Sequence, residues 1–145
     1  GIDISPSAIG LARENARKQD VSCTFMVADV LGDLGEVEGP FDFAFDWELL
    51  HHIYPADRPH YVANVARLLV PGGKYLSVCF HENDPQFGGS GKYRTTRIGT
   101  VLYFSSEEEL RELFSPYFAI HELRAVTIRG KWGDHGAICG FMERR

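Results

Sequence analysis

The feature that most constrains the fold is the opening pentapeptide. Gly1-Ile2-Asp3-Ile4-Ser5 reads as the end of a buried strand carrying one acid, followed at once by a helix start. Ser5 is placed to cap, and Pro6 suits the first helical position. A strand that runs straight into a helix is a βα unit, and such units build parallel sheets. In nucleotide-binding folds of this class a carboxylate at such a strand end grips ribose hydroxyls. No glycine-rich turn precedes this strand, so the expectation is a domain truncated at its N-terminus.

The rest of the chain keeps the alternation. Ala8, Leu11, Ala12, Asn15 and Ala16 share a helical face that should end near Gln19-Asp20. Residues 23–30 (CTFMVADV) have the length and composition of a strand that closes on Asp29. Gly32, Gly35, Gly39 and Pro40 punctuate a loop. Residues 41–47 (FDFAFDW) read as a strand too apolar for the surface, hence central in a parallel sheet. A helix over 56–70 with Val62, Val65, Leu68 and Leu69 inward is stopped by Pro71-Gly72-Gly73, and a strand follows over 74–80. The polar, glycine-rich stretch 81–99 predicts a long loop of functional kind. Ser105 and Glu108 have capping-box spacing before a helix that buries Leu110, Leu113 and Phe114. Two last strands, 118–128 and 137–143, are joined closely enough to form an antiparallel hairpin. The fold class expected is α/β: one domain over 1–145 with a Rossmann-like, mostly parallel sheet and a C-terminal antiparallel hairpin.

Composition narrows the partners. A net charge of −5 argues against nucleic acid, which needs a basic face. No apolar run is long enough to span a bilayer, and no signal peptide is visible, so no membrane partner and a cytoplasmic location are expected. Cys23, Cys79 and Cys139 are scattered in apolar contexts and read as buried thiols of a reducing compartment.

Three acids, Asp3, Asp29 and Asp46, lie at or beside strand ends. Strand carboxyl ends line the ligand crevice of an open parallel sheet, and carboxylates accept from ribose hydroxyls or an adenine amine. The alternative is that such acids only cap helices and solvate loops. In the segment 92–97, three cations and Tyr93 could clamp an anionic or planar substrate, with Tyr93 and Arg94 the candidates, or form a solvated loop. Trp132 and His135 in the last hairpin turn suit a substrate lid or a simple closure. A metal site from His51, His52, His81, Asp84 and His135 lacks ligand spacing, so no metal is expected.

The runs GIDIS, VADV, FDFAFDWELLHHI and ARLLVPGG, in this order, resemble the class I S-adenosylmethionine-dependent methyltransferases. The steps at Asp46, Ile53-Tyr54-Pro55, Arg58, Tyr61 and 69–73 are similar to the thiopurine and thiol/halide branch. The resemblance implies S-adenosylmethionine as cofactor and a small-molecule methyl acceptor, with a thiol or other soft nucleophile suggested. It implies that Asp3, with Ile4, binds the ribose, that Ala28, Asp29 and Val30 meet the adenine, and that Asp46 and Trp47 lie near the methionine part. A soft anion needs no base, whereas a hydroxyl, carbon or amine acceptor often does. His51, His52 and His81 follow strand ends and are the candidates, His51 and His81 foremost. Two rival readings remain. One is an NAD-binding oxidoreductase domain, which Asp3 fits equally. The other is a non-catalytic methyltransferase-like remnant, its sheet lacking a central strand and stabilised by pairing as a homodimer.

Overall fold

A computed structural model describes residues 1–87, 91–130 and 133–145. The chain divides into two compact units, Gly1–Glu38 and Gly39–Arg145.

The first unit is one βαβ turn. Strand β1 (Ile2–Asp3) leads through Ser5 into helix α1 (Pro6–Lys18), and strand β2 (Met26–Val27) returns parallel to β1. Ser5 Oγ accepts from the Ala8 amide at 3.3 Å, and Arg17 and Lys18 complement the dipole at the other end. The strand predicted over 23–30 is only two residues long, because its pairing stops where β1 stops. Cys23 therefore lies outside the ladder and is exposed, not buried as expected.

The second unit is built on a mixed sheet of order β3-β4-β8-β7. Strand β3 (Phe41–Trp47) pairs parallel with β4 (Leu69–Phe80), while β4 with β8 (Gly133–Arg144) and β8 with β7 (Phe118–Gly130) are antiparallel. A 3₁₀ turn (Leu50–His52) and helix α2 (Arg58–Leu68) connect β3 to β4. Between β4 and β7 come a short antiparallel pair, β5 (Tyr93–Thr95) with β6 (Val101–Tyr103), and helix α3 (Glu107–Phe114). The predicted long loop thus contains a strand. β4 begins directly after α2, at Leu69, which is already extended, so the strand starts five residues before the expected 74 and takes in Pro71-Gly72-Gly73, where Gly72 adopts φ +80°.

Tyr75 of β4 packs edge-on to Phe114 and tilted against Phe118 in the core. A second cluster joins Val78, Phe80, Leu102, Phe104, Ile128 and Ala137. The placing of β3 corrects the expectation of a central strand. It is the sheet edge, and its alternate residues Phe43, Phe45 and Trp47 are 51, 67 and 57 % exposed. The capping box also sits one residue later, at Ser106 and Glu109. Ser105 is engaged elsewhere, accepting from Arg58 Nη1 at 2.8 Å.

Candidate functional site

In the first unit, Asp3 and Asp29 stand beside each other at the carboxyl ends of two paired parallel strands. Asp3 directly opposes Val27, and its carbonyl accepts from the Ala28 amide at 3.1 Å. Each carboxylate is held by one oxygen. Asp3 Oδ1 accepts from the Ser5 amide at 2.7 Å, and Asp29 Oδ1 from the Leu31 amide at 2.9 Å. Both bonds are local turns to the amide two residues on. They leave each second oxygen as an acceptor on an exposed side chain. Ile4 is 68 % exposed beside them, with Ala28 and Val30 half-buried.

In the second unit Asp46 has a different setting. It is 7 % exposed, and its Oδ2 accepts from Tyr61 Oη at 3.0 Å and from Tyr75 Oη. The two hydroxyls also lie 3.0 Å apart. Burial raises the Asp46 carboxyl against these hydrogen bonds, and burial plus the Asp46 charge pushes both phenols well above their usual range. Asp46, expected near the methionine part of the cofactor, is thus a buried carboxylate. The carboxylate ties β3 to β4 and α2 from inside, and Trp47, on the opposite face, is the exposed member of the pair.

His51 is buried and stacks on Phe80 at 3.9 Å between ring centroids. Burial, then the neighbouring His52, Arg58 and His135, lowers it to about 3, so the ring is neutral. Its Nδ1 accepts from the Phe80 amide at 3.4 Å, which places the proton on Nε2. A ring so held has its Nδ1 lone pair engaged and an Nε2 proton to donate. His81 is held alike, its Nδ1 accepting from the Asn83 amide at 2.9 Å. His52 is exposed, and burial of part of its ring lowers it against the pull of Glu48.

Arg94 makes its contacts within the chain. It is 7 % exposed, and its guanidinium donates to the carbonyls of Gly91, Gln86, Asp84 and Glu82 while lying 4.3 Å from the centre of the Phe104 ring. It fastens the segment after β4. Tyr93 is 58 % exposed and packs on Tyr103 and Tyr54. Trp132 lies outside the described residues. Among the described residues no cluster of three or more His, Cys, Asp or Glu is arranged to hold a metal ion.

Arg58, Asp84 and His135, named above in other roles, make contacts that the sequence reading did not foresee. Arg58, 4 % exposed, donates to the Ile53, Leu50 and Tyr103 carbonyls as well as to Ser105, so it clamps the 3₁₀ turn that carries His51. Asp84 and His135 meet across 51 residues of sequence, which no local spacing signals.

Residues 1–73 match the family model described as a methyltransferase domain. The chain belongs to the methyltransferase-domain family. An uncharacterized methyltransferase of Synechocystis sp. is 35 % identical over 81 residues, covering 56 % of this chain. The chain spans 36 % of that relative's length. The fold also matches a SAM-dependent methyltransferase from Methanosarcina mazei, with a TM-score of 0.81 at 21 % identity over 99 % of this chain and 80 % of that one. The N-methyltransferase NodS from Bradyrhizobium japonicum, solved with S-adenosyl-L-homocysteine, gives 0.69 at 17 % identity over 99 % of this chain and 64 % of that one. This methyltransferase domain is α/β and Rossmann-like, with the antiparallel hairpin expected at its C-terminal end.

Proposed function

We propose that this methyltransferase domain transfers a methyl group from S-adenosylmethionine to a small-molecule acceptor. One observation carries the reading: two carboxylates on adjacent parallel strand ends, each pinned by one oxygen and open at the other. A nucleoside offers hydroxyl and amine donors, and open carboxylate oxygens are the acceptors that suit them. Asp3 takes the ribose diol and Asp29 the adenine amine, with Ile4, Ala28 and Val30 as apolar neighbours of the purine. Trp47 keeps the proposed place against the methionine part, and Tyr93 that of a substrate contact.

The sulfonium donor supplies its own electrophilic carbon. The protein's share is to align the partners and exclude water. Tyr61 and Tyr75 hold Asp46 and so fix the end of β3, while Arg58 fixes the turn after it. Family membership weighs against the oxidoreductase reading, since the same ribose acid sits in a chain that matches methyltransferases.

Thermal unfolding with two nucleotides separates the readings. S-adenosylhomocysteine at 100 times its dissociation constant should stabilise the fold by about 2.7 kcal/mol, and NADH should not. Stabilisation by NADH alone would reverse the assignment. We infer also that the unpaired β3 edge, with its exposed Phe43, Phe45 and Trp47, favours a homodimer. Light scattering at micromolar concentration tests this, and a monomer mass contradicts it.

A further inference from the structure

The second unit holds a cavity of about 620 Å³, lined among others by His52, Phe87, Thr95, Arg97, Ile98 and His135. That volume suits a small organic molecule. Its wall carries one imidazole whose proton is placed by a buried carboxylate. The Asp84 side chain has no exposed surface. Its Oδ1 accepts from the Gln86 amide at 2.6 Å and its Oδ2 from the Gly136 amide at 2.6 Å. His135 Nδ1 stands 3.2 Å from the same Oδ2. A carboxylate that takes two amide hydrogens is an acceptor, so Nδ1 carries the proton and donates it. The lone pair of His135 is then on Nε2, and no described residue hydrogen-bonds to that atom. This is the reverse of His51, whose lone pair is spent on the Phe80 amide.

The ring is fixed in place as well as in tautomer. It stacks on Phe80 at 4.7 Å and on Phe87 at 5.4 Å. It also lies over Gly130, where an added Cβ would come within 2.5 Å of Cδ2 and 2.8 Å of Nε2. Asp84 is held in turn, since Arg94 donates to its carbonyl and to those of Glu82 and Gln86. A base oriented by a third group is the arrangement that proton abstraction needs.

We propose that His135 Nε2, oriented by Asp84, takes the proton of the methyl acceptor, and that the acceptor is a planar aromatic or heteroaromatic molecule with a weakly acidic O–H or N–H. The proposal rests on the methyl-transfer reading. Phe87 offers a flat wall, and Arg97 favours the anion left behind. The acceptor's proton passes to Nε2. Its lone pair forms the bond to the methyl carbon, and the electrons of the broken S–CH₃ bond stay on sulfur. Water then receives the proton from the imidazolium. The charged or titratable groups facing this ring are Asp84, His51, His52 and Arg97. A soft thiolate would have no use for such a base, so this site favours a protonated acceptor over the thiol that the resemblance suggested.

The test is to titrate 4-nitrophenol into the ¹⁵N-histidine-labelled chain, reading imidazole ¹⁵N shifts and phenolate absorbance together. The free chain should show His135 protonated at Nδ1 and His51 at Nε2. Nitrophenol should shift His135 Nε2 toward the protonated value and raise phenolate absorbance. His135→Gln should weaken that binding at least tenfold, and Asp84→Asn should release the tautomer while Phe80 stacking, read from ring-proton shifts, persists. S-adenosylhomocysteine affinity should be unchanged in His135→Gln. The proposal is overturned if His135 carries its proton on Nε2, if nitrophenol leaves His135 unshifted, or if His135→Gln binds phenolate like the parent. Loss of homocysteine-nucleoside binding in the parent chain would instead strike the methyl-transfer reading and leave the imidazole result standing.

Discussion

Asp3 and Asp29 in the first unit and Asp46 in the second carry the same sequence signal, an acid at the end of an apolar strand, and meet opposite fates. The first two face solvent with one oxygen free. Asp46 is enclosed by two tyrosine hydroxyls. The difference lies in what packs behind the strand. β1 and β2 are two-residue strands with little to bury them, whereas β3 borrows Tyr75 from β4 and Tyr61 from α2. The same signal therefore marks solvent-facing acceptors in one unit and, in the other, a buried carboxylate whose Oδ1 has no hydrogen-bond partner among the described residues.

That contrast is breakable by substitution. Asp46→Ala leaves two buried hydroxyls without their acceptor and should cost about 3 kcal/mol of stability in urea unfolding. A loss below about 1 kcal/mol would mean that the cluster is not structural. Asp3→Ala should do the reverse, changing stability little while weakening nucleoside binding about tenfold, or about 1.4 kcal/mol.

Acid sharpens the same division. The His51 ring titrates at about 3 in the fold against an ordinary 6.5. Between these values the unfolded chain binds the proton and the folded chain does not, so stability falls as pH falls. The slope attributable to His51 should approach about 1.4 kcal/mol per pH unit. It is fully developed below 6.5 and ends near 3. His51→Phe, which keeps the stack on Phe80, should flatten it; an unchanged slope would show that the ring is not held neutral.

The smallest effect separates the units by thiol. Cys23 of the first unit is exposed, while burial pushes Cys79 of the second up to about 12. A disulfide reagent should label Cys23 within minutes and leave Cys79 untouched until the fold is opened. Early labelling of Cys79 would contradict the packing of β4.

Much of this architecture was legible because it rests on local chemistry. The Ser5-Pro6 start of α1, the extent of β3 and the final hairpin follow from capping, alternation and turn spacing. What was not legible depends on remote partners. FDFAFDW has the composition of a central strand, yet among the described residues β3 has a neighbour on one side only. Ser105 and Ser106 precede a row of glutamates, so two capping frames read equally well; Arg58, 47 residues away, takes Ser105 and leaves Ser106 for the helix. The contacts of Arg94 were not legible because its acceptors are main-chain carbonyls, which no side-chain pattern reveals. Only the paired carboxylates of the candidate site were visible as a motif. The Asp84–His135 pair is a product of the hairpin and the segment after β4 coming together.

The central claim is that the first unit's carboxylates hold a nucleoside. Calorimetric titration of S-adenosylhomocysteine into the parent chain, Asp3→Ala and Asp46→Asn tests it directly. The account predicts micromolar binding by the parent, at least tenfold weaker binding by Asp3→Ala, and near-parental affinity in folded Asp46→Asn. A folded parent chain that binds nothing, or an Asp3→Ala chain that binds as well as the parent, would contradict it.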